Sequence, residues 1–173
     1  MTVRRAGLAD AAAIGAVHVA AWLSTYPGIL PEAYLARLSA VRQARHYEAA
    51  IRMGVIVHVA IGDGHVVGFA TASPARGARI AEGEIETLYV LDDWRERGLG
   101  RELMGASGAA LAAAGCRDAF LWVLRDNPSR WFYARLGGRP VAEGVVHVAG
   151  VAVPQTAFAW SPISQLVTPA AGA

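Results

Sequence analysis

The chain has 173 residues, 54% hydrophobic and 17% charged. That is enough apolar side chain for one compact core, leaves little room for a second domain and excludes a disordered chain. All sixteen basic residues are Arg, with no Lys, and the formal charge is +2. The missing Lys excludes an internal pyridoxal aldimine, a Schiff-base nucleophile and a phosphate-loop lysine. Asp and Glu are interspersed with the Arg residues except at 95–101 and 125–139, which argues against a nucleic-acid partner.

Taken in chain order, Thr2 to Arg5 reads as a strand and Leu8 to Trp22 as a helix of small residues, with Asp10 at the N-cap position. Two Arg before an apolar stretch imitate a secretory leader, but His18 interrupts it and no run reaches the length of a membrane span, so the expectation is a cytosolic protein without membrane contact. Pro27, Gly28 and Pro31 impose a loop carrying Tyr26, and helical periodicity then runs from Glu32 to Met53, with Leu35, Leu38, Val41, Arg45 and Tyr47 on its expected buried side. Val55 to Ile61, a Gly62-Asp63-Gly64 turn and His65 to Ser73 predict a hairpin.

After a loop rich in Arg, Gly and Ala, Glu84 to Leu91 is a third strong strand and Gly98 to Gly115 a helix of small side chains. Asp118 to Leu124 reads as a strand, Pro128 to Leu136 as a short helix, Val141 to Trp160 as two strands divided near Gly150, and everything from Ser161 as a tail. This order predicts a mixed α/β domain over residues 1–160, one sheet layer with helices on its faces. The lone Cys116 forms no internal disulfide and is expected to pack. Histidines 18, 46, 58, 65 and 147 have no metal-ligand spacing, so no metal is expected.

The stretch Glu86 to Met104 carries the chemistry. A strand ends, the loop RERGLGR (Arg95 to Arg101) follows, and a helix begins. Gly98 and Gly100 let backbone amides approach a ligand, and the helix adds the positive end of its dipole. With Arg95, Arg97 and Arg101 around it, the loop suits a pyrophosphate or phosphate ester. A dinucleotide fingerprint would need Gly at position 103, which is Leu103, and a triphosphate loop would need Lys. The pattern that fits is R-x-x-G-x-G on Arg95, Gly98 and Gly100.

Here the sequence resembles the GNAT superfamily of N-acetyltransferases, in which this motif follows the fourth strand and binds the pyrophosphate of acetyl-CoA. A second signature is similar to the family's Asn, Phe-Tyr and Leu-Gly, carried by Asn127, Phe132, Tyr133, Leu136 and Gly137. The opening, with Trp22 and Tyr26 to Gly28, also looks like bacterial members. The Asn-to-Tyr interval is one residue shorter than the commonest form, and the family's Leu-Gly-Phe is Leu136-Gly137-Gly138 here.

The resemblance implies a mainly antiparallel sheet of about six to seven strands with about four helices, and a strand that splays at a bulge to present the backbone of Leu88, Tyr89 and Val90 to pantetheine. The Leu88 amide would face the thioester oxygen, and Arg95, Arg97, Gly98, Leu99, Gly100 and Arg101 would hold the pyrophosphate. Tyr133 would protonate the departing thiolate, or be a core aromatic beside Phe132. Glu84, eleven residues before Arg95, would accept the ammonium proton, with Glu82 and Glu86 as rivals on one strand face, or be a solvated strand-end charge. Asn127 either bonds the CoA backbone or caps a helix.

Trp22, Tyr26, Glu84 and Glu86 are substrate-binding candidates, with Trp94 a further aromatic for the acceptor pocket or the core. Acetyl-CoA is the implied co-substrate, and an acidic cluster of Glu82, Glu84, Glu86, Asp92 and Asp93 favours a cationic amine, small molecule or peptide, as acceptor. The activity expected is acetyl transfer to a primary amine in a ternary complex, against a non-catalytic acyl-CoA sensor, which would have no use for an acid at the sulfur. The apolar C-terminal strands permit a homodimer through a sheet edge.

Overall fold

The computed structural model describes residues 1–77 and 80–167; part of the Arg-rich loop, Ala78 and Arg79, and the last six residues of the expected tail lie outside the described residues. Seven strands form one sheet in the order β1-β2-β3-β4-β5-β7-β6: β1 (Thr2–Arg5), β2 (Ile56–Gly62), β3 (His65–Pro74), β4 (Gly83–Val90), β5 (Ala119–Leu124), β6 (Arg139–Val148) and β7 (Val151–Trp160). Every neighbouring pair is antiparallel except β4 and β5, which are joined through a helix and run parallel. The helices are α1 (Ala11–Thr25), α2 (Glu32–Leu35), α3 (Ala40–Arg52), α4 (Leu99–Ala113), α5 (Arg130–Arg135) and α6 (Ser164–Val167).

Period-two alternation divides the core between the sheet's faces. On one face Ile14 and Val17 of α1 and Tyr47 of α3 pack on Val57, Val59 and Phe69. On the other, Leu99 and Leu103 of α4 pack on Ala60 and Ala70, and Met104 and Leu111 on Ile85, Leu121, Phe158 and Trp160. Covered on both sides, β2 reads as a nearly continuous apolar run. The two tight hairpins turn on residue pairs with positive φ, Asp63-Gly64 and Ala149-Gly150, as the right-handed strand twist requires. Gly15 lets α1 and α3 touch: a Cβ there would lie 2.4 Å from the Ala40 carbonyl oxygen.

Several expectations change. The helical run from Glu32 to Met53 is two helices, because Ser39 turns to extended backbone and caps α3, accepting from the Arg42 amide at 3.3 Å. Val41 and Arg45 therefore face solvent, Val41 at 63% exposure. Asp10 leaves α1 uncapped. Its carboxylate takes both guanidinium nitrogens of Arg4 at 2.8 Å and the Gly7 amide at 2.8 Å, closing a 3-10 turn at Leu8–Asp10. The stretch read as a tail carries α6, whose Leu166 is buried against Gly105 and Gly108, small residues that leave a groove on α4. Gly62 belongs to β2, and the Trp94 ring fills the place of its missing side chain.

Candidate functional site

The site begins with a break in the sheet. Strands β4 and β5 pair only at Gly83 with Ala119 and Glu84 with Phe120, although they continue to Val90 and Leu124. Across β3, Ala72 opposes Ile85 and Thr71 opposes Thr87, so Glu86 is an extra residue. Such a bulge bends its strand and re-aims a side chain. The Leu91 amide donates to the Val67 carbonyl at 2.9 Å. Alternation along the strand then turns the Leu88 and Val90 amides away from β3 and toward the gap.

Past the gap the chain makes a 3-10 turn at Asp92–Trp94 and enters α4 through Gly98, whose φ of 85° is left-handed. Among the described residues, the amides from Glu96 to Arg101 have no backbone acceptor. They converge on the positive end of a fifteen-residue helix, the arrangement that binds phosphate oxygens. Arg97 stacks 4.8 Å above the Trp94 ring, and Arg101 is exposed on the first turn. Arg95 ties the loop to α1: it donates to Thr25 Oγ1 at 3.1 Å and the Val90 carbonyl at 3.3 Å, and pairs with Asp92 at 2.9 Å. Gly100 sits against Phe132, whose Cζ would be 3.1 Å from an added Cβ, so α5 closes over the start of α4.

A cavity of about 300 Å³ passes through the gap, because its lining comes from both faces of the sheet. On the α4 face it is lined by Leu88, Leu121 and Tyr133, and on the α1 face by Trp22, Tyr26, Glu86 and Tyr89. Burial pushes the Tyr133 phenol well above its usual range, so it stays protonated at neutral pH. The Leu-Gly-Gly departure is explained beside it: the Trp160 ring fills the space at Gly138, with a Cβ there only 2.7 Å away, and donates to the Leu136 carbonyl at 3.0 Å.

Asn127 is buried at the cavity wall. Its Oδ1 accepts from the Ser129 amide at 2.9 Å and its Nδ2 donates to Tyr26 Oη at 3.4 Å, so it orders the approach to α5 and ties it to the loop after α1. Trp22 meets Tyr26 edge-on, with ring centroids 5.0 Å apart. His18, just beneath, stacks on Trp22 and shares a 2.7 Å hydrogen bond with the Tyr47 hydroxyl. Burial lowers its pKa to about 4, which keeps it neutral.

The acidic residues separate. Glu82 precedes β4 and forms an ion pair with exposed Arg117. Glu84 is half-buried on the α1 face, outside the cavity lining, with its pKa raised by burial and by Glu86. Glu86 lines the cavity and accepts from Ser73 Oγ at 2.6 Å. Asp92 is taken by Arg95 and the Ser24 hydroxyl, and Trp94 packs on Gly62, away from the cavity. The sequence reading missed Thr25, Trp122, Leu124, Val146 and Gln155, which also line it. An amide within the apolar run Val151–Trp160 was the one local signal, and it is Gln155.

Comparison with known proteins identifies the family and the fold. The model of the acetyltransferase (GNAT) family matches residues 18–138. A protein of Bacillus subtilis named as uncharacterized N-acetyltransferase YuaI is 33% identical over 169 residues, 97% of each chain. A GCN5-related N-acetyltransferase structure from Rhodopseudomonas palustris superposes with a TM-score of 0.74 at 24% identity, covering 92% of this chain and 94% of that one. The protein yncA of Salmonella typhimurium, solved with its cofactor acetyl-CoA, gives a TM-score of 0.71 at 22% identity, with 100% and 97% covered.

Proposed function

The chain belongs to the GNAT family of acetyltransferases, and from that premise we propose that it moves the acetyl group of acetyl-CoA to a primary amine by direct attack in a ternary complex. The observation carrying this reading is the single cavity that joins Tyr133 on one face of the sheet to Glu86, Trp22 and Tyr26 on the other. Donor and acceptor entering from opposite faces would meet in the gap.

Acetyl-CoA supplies the acyl group as a thioester. The unpartnered amides from Glu96 to Arg101, with the α4 dipole, fit its pyrophosphate, and Arg97 and Arg101 add charge. Leu88 and Val90 offer backbone groups to the pantetheine arm, and the Leu88 N–H stabilises negative charge developing on the thioester oxygen. Glu86, which lines the cavity, takes a proton from the substrate ammonium directly or through water. This gives the base role to Glu86 in place of Glu84, which lies outside the lining.

The free amine attacks the carbonyl carbon, the N–C bond forms and the C–S bond breaks. Tyr133 gives its proton to the leaving sulfur and regains one from the amine's second proton through water, while Glu86 releases the first to solvent, so the products are an amide, the CoA thiol and one proton. A cytosolic location and pairing of two copies through the β6 edge belong to the same reading, the pairing supported by exposed Val141 and Val145.

The test is titration of acetyl-CoA into wild type and Gly100→Glu, followed by free-thiol release over a panel of primary amines. Binding lost in Gly100→Glu, with amine-dependent thiol release that collapses in Tyr133→Phe, is the expected result. Binding without release on any amine would overturn the proposed reaction.

A further inference from the structure

We propose that the acceptor is a small primary amine carrying one positive charge, an apolar body and no carboxylate; this rests on the acetyltransferase reading above and narrows its substrate. Of the five acidic residues near the motif, Glu86 alone lines the cavity, while Glu82 and Asp92 are neutralised by Arg117 and Arg95. One carboxylate matches one ammonium. A polyamine or aminoglycoside would bring further ammonium groups against Leu30, Leu124 and Val146, where they would lose water and find no counter-charge.

The walls say what surrounds that ammonium. Trp22, Tyr26 and Trp122 present aromatic surface, which attracts a cation over its face and packs an apolar body, and Gln155 and Thr25 supply neutral polar groups. An α-amino acid would bring its carboxylate beside Glu86, which lines the cavity from its exposed side, with Glu84 close behind on the same strand. Two like charges held that close repel. Among the described residues the lining contains no Arg or His to offset them. The cavity holds about 300 Å³ in all, part of it needed by the acetyl end of the donor, so the acceptor is small.

A matched set of amines tests this: phenethylamine, its carboxylated counterpart phenylalanine, spermidine, and a short peptide with a free N-terminal Ala. Thiol release by wild type should show kcat/KM for phenethylamine at least about ten-fold above each of the others. Calorimetry on protein saturated with CoA, where no transfer occurs, should show the same preference for phenethylamine over phenylalanine in affinity. In Glu86→Gln that affinity ratio should shrink to about three-fold or less, because the charge conflict is gone. This readout survives any loss of turnover in the variant. Phenylalanine, spermidine or the peptide matching or exceeding phenethylamine would overturn the proposal, as would a Glu86→Gln variant that kept full discrimination. Acetyl-CoA binding with no thiol release from any of the four would instead overturn the acetyltransferase reading, and this inference with it.

Discussion

On the α4 side of the gap the surface open to a ligand is mostly backbone: amides of β4 turned from their neighbour strand and, beyond the cavity lining, a run of amides entering α4 that have no backbone acceptor among the described residues. On the α1 side it is made of side chains delivered by separate elements, Trp22 and Tyr26 from α1 and its following loop, Glu86 from the bulge, Trp122 from β5 and Gln155 from β7. Backbone groups hold a ligand whatever side chains they carry, so the first wall needs only glycines and a helix start. The second wall exists only when five elements are seated correctly. A donor common to a family suits the first construction, and an acceptor particular to one member suits the second.

That contrast predicts where perturbations act, and the acceptor wall should break first. Gly15→Val forces α1 off α3, since even a Cβ meets the Ala40 oxygen at 2.4 Å. We expect a loss of about 4 kcal/mol in urea unfolding, from overpacking against backbone that has nowhere to move. Unchanged stability would mean that α3 does not seat α1. Tyr133→Phe separates chemistry from binding: kcat should fall about 100-fold while the acetyl-CoA dissociation constant holds, as expected for loss of a general acid. A weakened dissociation constant with normal kcat would make Tyr133 a packing residue only.

The third test is pH. The folded pKa of His18 is lowered to about 4 from the usual 6.5. The unfolded chain therefore binds a proton that the folded one refuses between those values. Stability contributed by the neutral ring is complete above pH 6.5 and drains away as pH falls toward 4, by on the order of 3 kcal/mol. Thermal unfolding across that window should show the slope in wild type and a shallower one in His18→Gln. The smallest effect is expected at the tie between the walls. Thr25→Val removes the hydroxyl that receives Arg95, and should raise the amine KM about three-fold with acetyl-CoA affinity unchanged. A loss of acetyl-CoA affinity with the amine KM unchanged would show that Arg95 serves the donor loop alone.

Much of the fold was legible because its signals are local. Asp63-Gly64 between two apolar runs announced the hairpin, and the helix of small residues after Gly100 announced close packing on the sheet. The reading failed where a local pattern was outvoted. Periodicity carried Glu32 to Met53 across Ser39, and only the cap geometry shows the break. Val41 and Arg45 belonged to a helical stripe counted through that break, so they came out on the wrong face. The segment after Trp160 has no periodicity because its order comes from outside itself: Ile163 and Leu166 are buried, and Leu166 sits in the groove that Gly105 and Gly108 leave on α4.

The sequence by itself determined the mixed α/β class, the order of the strands along the chain, the helices α1, α4 and α5, and the loop from Arg95 to Arg101, since each depends on neighbours along the chain: glycine at a left-handed turn, amides at a helix start, apolar residues at a fixed period. Tertiary structure alone decided which acid faces the cavity. Glu82, Glu84 and Glu86 share a period-two pattern and were indistinguishable as letters. Their separation comes from an extra residue in the β3–β4 register, a strand that parts from β5 after Glu84, and an Arg thirty-five positions away that captures Glu82. Register and long-range pairing are settled by the packing of whole faces against one another, and no short window of sequence contains them.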